Sequence, residues 1–185
     1  MRFGLMRAMI FCGVVVWVVT SGVVAAQGTN EQGTNDKTHW VGSWAASQQI
    51  PEAANLLDPE LLRDATLRQI VHLSVGGSEL RVRVSNAFGT QPLHLMAVHV
   101  ARPVSVAGAA IDAASDKAVT FDGAADVMIP AGAEYLSDAV EMPVTALSSL
   151  AISIHYDEPP AGETGHPGSR ATSYVTHGDL VSAVS

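Results

Sequence analysis

Apolar and polar residues alternate with a two-residue period over most of the chain beyond residue 39. Leu67, Gln69, Val71, Leu73 and Val75 share one face, with Arg68, Ile70, His72 and Ser74 on the other. Leu80, Val82 and Val84 then oppose Arg81, Arg83 and Ser85. This is the period of a half-buried strand, and the Gly76-Gly77 step between the two runs predicts a β-hairpin. A third run sets Leu150, Ile152, Ile154 and Tyr156 inward and Ala151, Ser153 and His155 outward. Further strands are expected at 40–47, 93–101, 117–121, 126–130, 134–142 and 171–176. Turns fall at Asn86-Ala87-Phe88-Gly89, Asp122-Gly123, Pro130-Ala131-Gly132 and Pro159-Pro160-Ala161-Gly162. Only Asp58 to Asp64 suits a helix, and a short one. Strands at this spacing predict an all-β chain, an antiparallel sandwich or jelly-roll-like fold over 39–185.

The N-terminal part breaks the pattern. Arg2 and Arg7 precede an apolar run from Ala8 to Val19, and small residues lead to Ala25-Ala26. Charge, apolar core and small-residue end in that order predict a secretory signal peptide over 1–26, cut after Ala26, and export to the periplasm or beyond. The clean apolar core is shorter than the roughly 20 residues that span a bilayer, so no stable membrane anchor is expected. Cys12, the single cysteine, lies inside this segment. The exported chain is therefore expected to lack disulfides, thiolate metal sites and a cysteine nucleophile. Residues 27–38 hold no large apolar residue and predict a flexible polar leader.

Composition narrows the partners. The 185 residues carry 10 Lys+Arg against 18 Asp+Glu, a formal net charge of −8. Losing Arg2 and Arg7 makes the remainder more acidic still. A nucleic-acid partner is not expected, because phosphate binding needs a basic face.

Candidate chemistry is sparse. No Gly-x-Ser-x-Gly occurs, and Gly178-Asp179-Leu180 starts like a Gly-Asp-Ser nucleophile motif but holds Leu180 at the nucleophile position. Asp36-Lys37-Thr38-His39 has Asp-x-x-His spacing, yet it falls at the polar leader. His94 and His99 are five apart on an expected strand, so their side chains are expected on opposite faces, unable to share an ion. His72, His155 and His166 would share an ion only if folding brought them together. Asp112, Asp116 and Asp122 lack the spacing of a calcium loop and read as turn residues. Trp40 and Trp44, four apart, are expected on one face, as a core plug or a platform for sugar rings. Asn86 is expected to turn inward and bond its own turn. No catalytic, cofactor-binding or metal-ligating residue is expected within the chain.

Several motifs in order nevertheless resemble a known family. Trp40-Val41-Gly42-Ser43-Trp44-Ala45-Ala46-Ser47 and Leu67-Arg68-Gln69-Ile70-Val71-His72 come first. Gly76-Gly77-Ser78-Glu79-Leu80-Arg81-Val82-Arg83-Val84-Ser85-Asn86-Ala87-Phe88-Gly89 follows. Val119-Thr120-Phe121-Asp122-Gly123, Ile129-Pro130-Ala131-Gly132-Ala133, Leu136-Ser137-Asp138, Thr164-Gly165-His166-Pro167 and Thr172-Ser173-Tyr174 complete the set. Together they resemble the N-terminal β-rich region of secreted bacterial SGNH/GDSL-type esterases. The resemblance implies a following α/β domain that supplies the Gly-Asp-Ser serine, the Gly and Asn oxyanion donors and an Asp-x-x-His. This chain alone is then expected to be inactive, and the whole protein to be a serine acylhydrolase acting on acyl or acetyl esters. The alternative is a free-standing secreted β-sandwich that binds carbohydrate.

Overall fold

The computed structural model describes residues 13–19, 39–169 and 171–185. Its strands are β1 (Gly13–Val19), β2 (Trp40–Trp44), β3 (Ala65–His72), β4 (Gly77–Ser85), β5 (Leu93–Ala101) and β6 (Lys117–Val119). They continue with β7 (Val127–Ile129), β8 (Glu134–Leu136), β9 (Val140–Val144), β10 (Ser149–Tyr156) and β11 (Thr172–His177). All strand pairings are antiparallel. One sheet runs β2-β1-β4-β8, with β9 also on β4; the other runs β11-β3-β10-β5-β6, with β7 also on β5. The fold is an all-β sandwich. The helical content among the described residues is three short 3₁₀ turns. One of them, Pro59–Leu62, falls inside the expected helix, with Asp58 capping it by accepting from the Glu60 amide. Among the described residues no helix is long and apolar enough to cross a membrane.

The main core lies between the sheets, where Val16, Val18, Leu80, Val82 and Val84 meet Leu150, Ile152, Ile154 and Tyr156. Each such aliphatic side chain contributes roughly 1.5–3 kcal/mol by leaving water. The alternation therefore places the inward residues of β4 and β10 correctly. The Gly76-Gly77 hairpin is corrected. β3 and β4 lie in different sheets, and the step is a corner between layers. Gly76 is required there because a Cβ would lie 2.6 Å from the Val144 carbonyl oxygen.

The strand expected at 134–142 is interrupted. β8 and β9 lie in line along one edge of β4, with Glu134 opposite Ser85 and Val140 opposite Leu80. Between them Ser137 keeps the ladder, its amide donating to Val82 O and its Oγ accepting from the Val82 amide. Asp138 turns away to hold a neighbouring loop.

The outer face of the second sheet is covered at its centre, while its margins, such as His72, Met128 and Thr172, stay exposed. Ala151, Ser153 and His155 point away from the main core and are nonetheless buried. The loop after β5 and the segment after β11 cover them, and Ile70, Ala101, Ile111, Ala151 and Tyr174 form a second apolar layer. The Ile111 amide donates to Val184 O and joins the two covers.

Of the expected signal peptide, residues 13–19 are described, and they form the strand between β2 and β4. Residues 1–12 and 20–38, with the charged start, Cys12, the small-residue end and the polar leader, lie outside the described residues.

Candidate functional site

The motifs from 85 to 91 and from 129 to 133 meet at one end of the sandwich. Asn86 is buried at the end of β4, and its Nδ2 donates to the carbonyls of Gln91 (2.9 Å), Ile129 (3.1 Å) and Pro130 (3.2 Å). Its backbone amide donates to Ala133 O, and its carbonyl accepts from Gly89 and Gly132. The inward turn expected of Asn86 is present, and it ties its own loop to the segment 129–133. Gly89 sits so close that a Cβ would lie 1.7 Å from Asn86 Oδ1.

Neighbouring segments complete this end. Ser85 Oγ donates to Gln48 Oε1 (2.7 Å), the Phe88 amide donates to Thr164 Oγ1 (3.0 Å), and Gln49 and Gly165 exchange backbone bonds. A second junction forms on Asp138, which accepts from Thr120 Oγ1 (2.6 Å), the Gly123 amide (2.8 Å) and the Asp122 amide (3.2 Å). The Thr120 hydroxyl first, then the Gly123 amide, hold the Asp138 carboxyl below its ordinary pKa.

Glu163, beside Thr164, is pushed above its ordinary pKa by burial, against a smaller opposing bond from the Leu57 amide. The folded state thus favours the protonated acid. The associated stability is present below the unfolded-state pKa and lost as pH rises through the folded value. Glu163→Gln is expected to raise stability at pH 7 and to leave it nearly unchanged at pH 3, measured by urea denaturation at both pH values.

Histidine–carboxylate pairs line the outer face of the second sheet. His94 Nδ1 lies 2.8 Å from Asp157 Oδ2 and His99 Nδ1 lies 2.8 Å from Asp116 Oδ2. His155 Nε2 lies 3.0 Å from Asp64 Oδ1. The opposite-face reading of His94 and His99 is corrected by a bulge. Leu95 faces Tyr156 and Ala97 faces His155, which makes Met96 an extra residue. Leu93, Leu95, Val98 and Val100 all turn inward, so both histidines turn outward. They still sit about 15 Å apart along the strand, His99 with Asp116 and His94 with Asp157 and, at 3.6 Å, Asp126. His72 and His155 lie at opposite ends of the β3–β10 pairing, about 20 Å apart. Among the described residues no group of three His, Cys, Asp or Glu side chains could hold a metal ion.

The Asp157 side chain first, by hydrogen bond and then by charge, raises His94 above its ordinary pKa against partial burial. Burial acts to raise the Asp157 pKa, but the bonds from His94 and the Glu158 amide outweigh it and lower the value. His94 therefore contributes stability that is full below pH 6.5 and lost as pH rises through its folded-state pKa. NMR titration is expected to show His94 above 6.5, and Asp157→Asn is expected to bring it back down and flatten the stability profile above neutral pH.

The remaining candidates are structural or unassembled. Gly178 and Leu180 form a turn held by Thr66 and Arg68, with Thr66 Oγ1 donating to Gly178 O and Arg68 donating to Leu180 O. Asp36, Lys37 and Thr38 lie outside the described residues, and His39 is exposed. Asp112 caps the turn at 113–115, and Asp122 adopts a positive φ of 53° beside Gly123.

The shared face expected of Trp40 and Trp44 is also corrected. Trp44 pairs with Val16 and Gly42 with Trp17, so Ser43 is an extra residue that reverses the alternation. Trp44 packs against the core, whereas Trp40 lies under the Arg81 guanidinium, 4.5 Å from its ring centroid. The two rings form no common platform.

One serine–histidine contact borders a groove of about 400 Å³ lined by Arg102, Val104, Val106, Pro143 and Ser149. His72 Nδ1 is 3.4 Å from Ser149 Oγ. That is longer than the roughly 2.6–3.2 Å of a working base, and among the described residues no carboxylate is bonded to the ring.

The largest polar side chain whose burial the alternation missed is Arg68, which is fully buried. Nε donates to Ser153 Oγ, Nη1 to Ala109 O and Ala183 O, and Nη2 to Leu180 O and Val181 O. All five N–H groups are used. Burial lowers its pKa, against a smaller raising effect from Asp116. These bonds fasten both covers of the outer face. No protein-family profile and no curated protein matches the chain.

Proposed function

We propose that this chain is the N-terminal β-domain of an exported SGNH/GDSL-type serine ester hydrolase, inactive by itself, with residues 1–26 directing export. An α/β domain that follows it in the full-length protein supplies the serine, the oxyanion donors and the Asp-x-x-His. There the serine attacks an acyl or acetyl ester carbonyl, the histidine takes and returns the proton, and the donors hold the oxyanion. The β-domain packs against that partner and shapes access to it.

The observation that best supports this reading is the interlocking of the motifs behind the resemblance. Asn86 binds Ile129 and Pro130, Thr164 binds Phe88, and Asp138 binds Thr120 and Gly123. Residues spread from Asn86 to Thr164 thus meet at two junctions, which supports reading the motifs as parts of a shared scaffold. The carbohydrate-binding alternative is weaker, because Trp40 is covered by Arg81 and separated from Trp44.

Sequencing the coding region beyond the Ser185 codon tests the proposal. An in-frame α/β segment opening with Gly-Asp-Ser and ending with Asp-x-x-His is expected; an in-frame continuation or stop without them contradicts it.

A further inference from the structure

β1 joins two neighbours that have no ladder with each other. It pairs with β4 from Gly13 opposite Ser85 to Val18 opposite Leu80, and with β2 from Val16 opposite Trp44 to Val19 opposite Trp40. Val16 and Val18 are fully buried in the main core. This same segment is the apolar core of the proposed signal peptide. Its removal would leave the facing edges of β2 and β4 with unpaired N–H and C=O groups beside an apolar hollow, a costly state.

The gap would not close by simple collapse. The two strands stand about 9.6 Å apart, twice the spacing of paired strands. β2 is also pinned independently of β1, with Ser43 Oγ donating to Val75 O (2.9 Å) and Ser74 Oγ donating to Ser43 O (2.6 Å). Nor do the described residues hold a spare strand for it. Residues 27–38 have no large apolar side chain, and Leu150, Ile152 and Ile154 of β10 are committed to the core.

Resting on the export reading, we infer that the gap between β2 and β4 is a strand-acceptor site for another polypeptide. After residues 1–26 are removed, it takes an extended, uncharged segment of a partner protein, antiparallel to both neighbours. The seated β1 defines the chemistry required. Six successive residues pair with β4, alternate ones directing their N–H and C=O to β4 and the others toward β2, and β-branched aliphatic side chains at two alternate positions fill the places of Val16 and Val18.

The test uses the full chain with a protease site inserted in 27–38. The purified protein is cut there, freed of the released segment in dilute urea, and returned to buffer. A labelled peptide of residues 13–19, flanked by lysines, is then added. One peptide per cut chain is expected, with none taken up by the uncut chain. The peptide carrying Val16→Asp and Val18→Asp is expected to bind at least about a hundredfold more weakly, since two buried valines are lost. If cutting unfolds the chain, recovery of its native circular dichroism with the valine peptide alone supports the same conclusion. Failure to recover overturns it. A cut chain that stays folded and refuses the peptide, that fills the gap by dimerising, or that binds both peptides equally also overturns it. The N-terminal mass of the exported chain reports separately on export: a retained Met1 ends that reading whatever the peptide does.

Discussion

Replacing Arg68 by Met is expected to cost about 3–5 kcal/mol, among the largest effects of any single substitution here, because several buried carbonyls lose the donor that satisfied them. The side chain is fully buried, and its loss takes the arginine donor from the carbonyls of Ala109, Val181 and Ala183, while Leu180 O keeps only the Ala183 amide. For a chain of this size the melting temperature is expected to fall by roughly 10 °C. Arg68→Lys keeps the charge but has three donors for five acceptors, so it recovers only part of the loss. Hydrogen exchange separates this from general destabilisation. Amides of the segment after β11, such as Ala183, are expected to lose protection before those of β10. Equal loss in both would mean that Arg68 does not fasten the cover.

The second large effect concerns Asn86 and Gly89, and a double-mutant cycle is its measure. Asn86→Ala removes three side-chain hydrogen bonds to loop carbonyls and is expected to cost about 2–4 kcal/mol. Gly89→Ala places a methyl group 1.7 Å from Asn86 Oδ1. The asparagine must then leave its partners, and a similar cost of about 3 kcal/mol is expected. In the double variant the methyl no longer meets an amide, so the total is expected to fall short of the sum by at least about 1.5 kcal/mol. Chemical denaturation of the four proteins gives the answer. Additive costs would mean that the two residues act independently and that the Asn-Ala-Phe-Gly motif is not one device.

The inward residues of β4 and β10 were legible because a two-residue period needs only local information. What the sequence alone concealed was non-local. A Gly-Gly step suits a hairpin or a corner between sheets, and the contact that decides, Gly76 against Val144, comes from almost 70 residues away. Ser43 and Met96 each add one residue opposite a partner strand, and a single added residue reverses every face beyond it. That is why Trp40 parts from Trp44 while His94 and His99 come to one side. Arg68 reads as an outward polar residue and does point outward from the main core. It is buried because the chain's last residues fold over it, which no pattern around residue 68 announces. At the candidate site, Asn86 and Asp138 sit in segments whose turn residues are plain. Their role as junctions between distant loops depends on which ends of the sandwich meet.

The most direct test of the functional account is ester turnover by the purified chain. It is assayed with a short-chain chromogenic ester, with and without a serine-directed covalent inhibitor. No inhibitor-sensitive hydrolysis above background is the predicted result, since the serine that performs the chemistry belongs to the domain proposed to follow. Inhibitor-sensitive turnover, with the label recovered on a serine such as Ser149 beside His72, would contradict the account and make this β-sandwich an enzyme in its own right.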